Sequence, residues 1–333
     1  MTEEVDKLVT WYKQNTFHYK DYIRIHRLVK KKQQQKLTIG VCIPTKNEEA
    51  TIFEIVKKIK DELMIKEPLV DKLMVLDSDS EDNTTKLAKK AGAEVMAVHD
   101  ILPDVVFKEL PKWGKGENIW KSIYALDTDI IVWIDGDIEN FSPRFVYGLV
   151  GPILNHPNLG MVKGFYQRPI KLDNILHSSG GGRVTELCLR PLLNTFYPEL
   201  TRILQPLAGE YAIRREIIEK IPICVNYAVE TCMLIDIYQK WGVNAIGQVD
   251  LKERVHRNSP LRHLSKLSFG IMQAVFNRLD IHKKVKLLRE PQWKEGRYDF
   301  KAVKIIEDQR PPIIEIPEYN EKFKDRVVKW PLN

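Results

Sequence analysis

Two aspartates one residue apart, Asp135 and Asp137, follow the apolar run of DIIVWIDGD, with Gly136 between them. Open α/β sheets bind ligands at the carboxyl ends of their strands, and a carboxylate pair stands at such an end here. Hard cations, Mg²⁺ or Mn²⁺, take oxygen ligands and are usually held by one or two carboxylates together with the oxygens of a diphosphate. Gly136 lets the backbone turn tightly, so that both side chains face one crevice. Asp and Gly also compose ordinary solvated turns. The strongly apolar strand before the pair is what favours the metal reading.

Three further loops carry nucleotide chemistry. IPTKNEEATI closes a strand at Pro44 and offers bare backbone donors and the Asn47 side chain to a uracil or ribose. LDSDSEDNT puts Asp77 at a strand tip, where it can accept hydrogen bonds from base or ribose, while Ser80, Asp82 and Asn83 are of helix-capping type. WGKGEN sets Lys115 between two glycines just before a helix, where a lysine can approach a phosphate or nucleobase. Loops at the ends of successive strands of one sheet converge on one crevice, the geometry that nucleotide binding needs.

Such convergence demands particular elements. Apolar runs at 37–44, 71–77, 93–99 and 129–135 read as strands, and apolar residues at helical spacing over 48–62, 82–91 and 115–125 read as helices between them. This alternation predicts an α/β fold with a Rossmann-like, mostly parallel sheet flanked by helices. After Pro143 the pattern is mixed, with helices expected at 145–154, from Arg183, at 228–241 and at 261–277, and strands at 160–166 and 244–250. The expected organisation is an N-terminal helical extension over 1–36, a nucleotide-sugar half over 37–142, an acceptor half over 143–282 and a C-terminal extension over 283–333.

At 333 residues and 44% apolar content the chain can bury a full core. Lys and Arg exceed Asp and Glu by 52 to 45, a net charge of +7 that favours phosphate-bearing partners without demanding nucleic acid. The run Lys30 to Lys32 reads as a solvated linker. Cys42, Cys188, Cys224 and Cys232 show no CxxC spacing and read as reduced, buried thiols, with neither a disulfide framework nor a zinc site. The N-terminus lacks an apolar signal region and no apolar run approaches the ~18 residues that span a bilayer. A cytoplasmic enzyme without membrane or nucleic-acid partners is expected.

With the loops and the DGD pair followed in order by SSGGGRVTELCLRPLL, LQPLAGEYAIRRE, NYAVETCMLIDIY and ERVHRNSPL, the chain resembles glucosyl-3-phosphoglycerate synthases, retaining glycosyltransferases of GT-A fold. The resemblance runs from about Gly40 to about Leu261, and the GGGRVTEL and QPLAGEY segments are far more specific than the DxD pair. Position 79 is Asp where the family loop has a glycine, and Asp tolerates positive φ better than most residues.

The resemblance implies that UDP-glucose is held by Pro44, Thr45, Lys46, Asn47, Glu48, Ser78, Lys115 and Gly136, with Asp135 on the ribose or sugar. It implies Mg²⁺ or Mn²⁺ on Asp137 and His256; a neutral imidazole suits Mn²⁺, and the basic neighbours of His256 suppress its protonation. Glu230 would orient the glucose hydroxyls, and the Leu207 carbonyl would hold the acceptor hydroxyl or the sugar near C1, which makes Leu207, Glu230 and Asp135 the catalytic set. For 3-phosphoglycerate the site implied is Gly182, Arg183, Thr185, Tyr227 and Asn258, with Arg257 beside them. Gly180 to Gly182 leave backbone N–H groups bare at a helix start, beside a guanidinium and a hydroxyl, which together suit one phosphate. A homodimer is implied as well. The rivals are an inverting polyprenyl-phosphate sugar transferase, a mannosyl-3-phosphoglycerate synthase using a GDP sugar, and a non-catalytic nucleotide-sugar sensor on the same scaffold.

Overall fold

The computed structural model describes residues 2–105, 114–168, 170–172, 175–177, 182–255, 260–280, 287–294, 297–305, 308–328 and 330. The chain opens with α1 (Thr2–Asn15), β1 (Thr16–His18) and α2 (Ile25–Gln34). The expected alternation follows as β2 (Ile39–Thr45), α3 (Ile52–Ile59), β3 (Lys72–Asp77), α4 (Thr84–Ala91), β4 (Glu94–Ala97), α5 (Lys115–Ala125) and β5 (Ile130–Trp133). Next come α6 (Arg144–Asn155), β6 (Met161–Gln167), the small hairpin of β7 (Ile170–Leu172) and β8 (Ile175–His177), and α7 (Arg190–Phe196), which continues a wide π-helical turn at Thr185–Leu189. Then β9 (Tyr211–Arg214), α8 (Arg215–Ile218), β10 (Ile223–Cys224), α9 (Val229–Trp241), β11 (Ile246–Glu253) and α10 (Leu261–Arg278) lead into the C-terminal region. There an antiparallel pair, β12 (Leu287–Lys294) and β13 (Arg297–Lys304), precedes β14 (Gln309–Arg310) and α11 (Pro317–Phe323).

Eight strands form one sheet in the order β1-β11-β6-β9-β5-β2-β3-β4. Every neighbouring pair is parallel except those made by β9, which runs antiparallel to both β5 and β6. The period of two along β5 explains the two-sided core: Ile131 and Trp133 join the cluster on one face, Ile130 and Val132 the cluster on the other. On α3, Ile52, Ile55, Val56 and Ile59 are all buried, the spacing of a helix that presents one apolar stripe to a sheet. Each such side chain contributes about 1.5–3 kcal/mol by leaving water.

Three expectations are corrected. The helix expected over 48–62 begins only at Ile52, because Glu48 turns the chain first, its carbonyl accepting from the backbone N–H of Thr51 and Ile52. Strand β9 was not anticipated, since the four residues YAIR, followed at once by a second arginine, show too short an apolar period. The expectation of four reduced thiols fails for two of them: Cys224 and Cys232 are joined in a disulfide, with Cα atoms 6.3 Å apart. Strand β10 and the first turns of α9 stand face to face, a proximity that eight residues of sequence separation do not announce. In the C-terminal region β14 pairs β10, and Arg310 Nε is ion-paired to buried Glu117 at 2.6 Å.

Candidate active site

Strands β2, β3 and β5 end side by side, and beyond their carboxyl ends lies a cleft of about 580 Å³. Pro44, Thr45, Lys46 and Glu48 line it from the loop after β2, Ser78 from the loop after β3, and Asp135, Gly136 and Asp137 from the loop after β5. Lys115 enters from the N-terminus of α5, Glu230 from the first turn of α9, and Leu207 and Tyr227 from the turns before β9 and α9. Twelve residues expected at the site from sequence thus share one cleft.

A charge network occupies its floor. Lys115 Nζ lies 2.7 Å from Asp135 Oδ1 and 2.8 Å from Glu230 Oε1. Arg254 Nη2 reaches Asp135 Oδ2 at 3.0 Å and Asp137 Oδ1 at 2.5 Å, while its Nε lies 3.3 Å from Glu210 Oε1. Tyr166 donates its hydroxyl to Glu210 Oε2 at 2.5 Å and accepts from Arg254 Nη1 at 3.1 Å. Burial opposes the ionised form of Asp135, but Lys115 and Arg254 outweigh it and hold the carboxyl well below the usual range. Burial also opposes the charge on Lys115, yet Asp135 and Glu230 raise its pKa well above the ordinary lysine value. Glu210 moves the other way: burial raises it in spite of Arg254.

Glycines make this packing possible. A β-carbon on Gly116 would collide with the Cys224 carbonyl oxygen, and one on Gly114 with that of Val225, so only glycines on either side of Lys115 let α5 start against this segment. A β-carbon on Gly209 would strike the Asp135 carboxylate.

The loops brace one another. Asn47 takes φ 58° and Asp79 φ 57°, so the Asp in place of the family glycine adopts the left-handed conformation the loop needs. Asn47 accepts from the Glu81 backbone N–H at 2.8 Å, so its side chain stitches two loops together and is not among those lining the cleft. Asp77 is buried and bonded to Thr45 at 3.0 Å and to Ser80 at 2.6 and 2.8 Å, so its carboxylate braces the loop. Of the three capping candidates Asn83 occupies the N-cap position of α4 but its side chain bonds Glu49, Asp82 just before it accepts from the Thr84 N–H at 3.0 Å, and Ser80 serves Asp77. Ser78 bonds Asn118 of α5.

Gly182, expected at the acceptor site, takes φ 81°, a conformation open to glycine, and the helical segment starts at Arg183. Arg183 lines an adjoining groove of about 410 Å³ together with Leu187 and Leu261, and Thr185 is buried. Val184 borders both spaces. Tyr227 stands half exposed at the mouth, edge-on to His263 at 5.8 Å between ring centres. Gly180, Gly181, His256, Arg257 and Asn258 lie outside the described residues.

The residues present fit a divalent cation: two carboxylates converge on a single guanidinium nitrogen, a position already dedicated to positive charge. No group of three or more His, Cys, Asp or Glu side chains suited to a metal occurs among the described residues, and His256 is the expected further ligand. Sequence reasoning missed Arg254, Glu210, Tyr166, Lys163 and Asn118. The signal for three of them was a charge inside a strand-like run, as in MVKGFYQ, AGEYAI and DLKERV.

Residues 40–221 match the family described as Glycosyl transferase family 2. The glucosyl-3-phosphoglycerate synthase of Petrotoga mobilis is 50% identical over 315 residues, which cover 92% of this chain and 96% of that protein. The crystal structure of the Mycobacterium tuberculosis glucosyl-3-phosphoglycerate synthase with Mn²⁺, UDP and glucosyl-3-phosphoglycerate aligns with a TM-score of 0.77 at 38% identity, covering 88% of this chain and 95% of that one. The mannosyl-3-phosphoglycerate synthase of Rubrobacter xylanophilus aligns with a TM-score of 0.83 at 32% identity, covering 92% and 99%. The fold is therefore the GT-A glycosyltransferase fold, and with half its residues identical across nearly the whole of a glucosyl synthase, the chain belongs to the glucosyl-3-phosphoglycerate synthase family.

Proposed function

We propose that this chain transfers the glucosyl group of UDP-glucose to the 2-hydroxyl of 3-phosphoglycerate with retention at C1, giving glucosyl-3-phosphoglycerate and UDP. The observation that carries the reading is Lys115, pinned between Asp135 and Glu230 where three strand ends meet, in a chain half identical to a glucosyl synthase. The greater identity to glucosyl than to mannosyl synthases favours UDP-glucose over a GDP sugar. Among the described residues no helix is long and apolar enough to cross a membrane, which disfavours the polyprenyl-phosphate rival. The intact carboxylate pair disfavours the sensor.

In this reading the bond between C1 and the β-phosphate oxygen breaks as the acceptor oxygen bonds C1 on the same face, and the acceptor proton passes to the departing diphosphate. Asp137, with His256, would hold Mg²⁺ or Mn²⁺, which when bound would offset charge on the diphosphate. Lys115 adds a fixed cation beside that charge. Asp135 and Glu230 hold Lys115 and present carboxylate oxygens to the ribose and glucose hydroxyls, and Pro44 to Glu48, Ser78 and Gly136 shape the nucleotide cradle. Leu207 offers its carbonyl to the acceptor hydroxyl or the sugar. Gly182, Arg183 and Thr185, with Asn258, take the acceptor phosphate, and Tyr227 covers it. The halves over 37–142 and 143–282 supply donor and acceptor contacts respectively, the molecule works in the cytoplasm, and it pairs as a homodimer. A panel of UDP and GDP sugars against 3-phosphoglycerate, with and without Mg²⁺, tests the reading by anomeric NMR of the product. Glucosyl transfer with an α-linkage supports it, and mannosyl transfer alone or no transfer refutes it.

A further inference from the structure

Lys163 is a fully buried lysine to which the reading above gives no task. It sits mid-strand in β6, wholly shielded from solvent, with its ammonium donating to the Ala208 carbonyl at 2.7 Å and lying 4.7 Å from the centre of the Tyr211 ring. Ala208 belongs to the turn whose Leu207 lines the cleft and whose Gly209 packs directly on the Asp135 carboxylate. The next peptide of β6 grips the same segment, Gly164 N–H donating to the Glu210 carbonyl at 2.9 Å. A buried ammonium costs several kcal/mol unless neighbouring groups offset it, so a charge retained in a strand interior calls for a reason. A thioether or leucine of similar volume would fill the space without that cost.

We propose that Lys163 is a positioning residue for glucosyl transfer: its ammonium, by holding the Ala208 carbonyl, fixes the 207–209 turn against Asp135 and so sets the floor of the reacting site. The inference rests on the transferase reading of the same cleft. Lys163 is faced by Glu230 from α9, Lys115 from α5, Glu210 and Tyr211 at β9, and Asp135 after β5. Burial dominates over these charges and pushes Lys163 down to about 8. As pH rises through about 8 the charge behind that bond is lost; the neutral amine donates more weakly, and the grip on the turn loosens. Stability moves in the opposite sense. The unfolded chain keeps this proton up to about 10.5 while the folded chain sheds it near 8, so unfolding binds a proton across that window and stability rises with pH. Activity falling while stability climbs is a signature that loss of structure does not produce.

The test compares wild type with Lys163→Met in UDP-glucose, 3-phosphoglycerate and Mg²⁺ between about pH 7 and 9.5. Expected for the variant is a melting temperature within about 4 °C of wild type, a UDP-glucose KM within about threefold, a kcat lower by about 10²-fold, and no further fall above about pH 8. Unchanged kcat in a folded Lys163→Met overturns the inference. Should that variant not fold, wild type decides: kcat falling near pH 8 while the melting temperature rises supports the role, and a flat kcat overturns it. A wild type that forms no product overturns the transferase reading and this inference together, whereas an active wild type beside an unaffected variant removes Lys163 alone.

Discussion

Asp135 carries Lys115 on one carboxylate oxygen and Arg254 on the other. Each pair at such distances is worth on the order of 4 to 6 kcal/mol at an effective dielectric near 20, against a burial penalty of several kcal/mol, which is why attraction decides the direction of its titration. Because its folded pKa is depressed, Asp135 contributes stability that is complete above about pH 4 and is lost as pH falls below that value, so melting temperatures should drop on acidification and Asp135→Asn should flatten the acid limb. Lys115→Met is expected to lower kcat by roughly 10²–10³-fold, the loss typical of one fixed charge at a developing anion, measured at saturating substrate. Arg183→Ala should raise the KM for 3-phosphoglycerate by about tenfold or more while leaving that for UDP-glucose within about threefold, and equal effects on both would count against its place in the acceptor site. At this scale the sequence was most legible where charge follows an apolar run into a loop, as in DIIVWIDGD. It was least legible for Arg254 and Glu210, whose partners lie more than forty residues away and come together only through the fold.

The elements show why some boundaries could be read and others not. Helix α5 runs from Lys115 to Ala125, the range its apolar spacing predicts, because a flanking glycine and a clear stripe mark its start and face. Strand β9 escaped because its identity is conferred by its neighbours: Trp133 and Lys163 both stand across from Tyr211 in register, and no periodicity inside four residues records that. The disulfide escaped for the same reason, since only the packing of β10 on α9 brings Cys224 to Cys232. The start of α5 depends on the absence of a side chain at position 116. Gly116→Ala should cost about 1–3 kcal/mol by chemical denaturation, because the Cys224 carbonyl must give way, and should raise the UDP-glucose KM as Lys115 shifts. A loss of stability with unaltered KM would separate the helix start from donor binding.

Across the whole molecule one sheet connects what sequence reading divided into an N-terminal extension, a donor half and an acceptor half. Strand β1 lies within the N-terminal 1–36 stretch yet pairs with β11, and β14 in the C-terminal region reaches back to α5 through Arg310 and Glu117. The proposed pairing as a homodimer is checked by sedimentation velocity, where a single species at twice the chain mass is expected. Arg254 has a consequence at this scale as well. With a guanidinium spanning Asp135 and Asp137, the resting protein meets its own charge balance at the strand end, so stripping divalent ions with a chelator should leave the melting temperature unchanged while abolishing turnover. A site built this way would carry its own counterion, and the two phosphates of a nucleotide would exceed what the arginine alone neutralises, so Mn²⁺ affinity measured by calorimetry should rise when UDP is present.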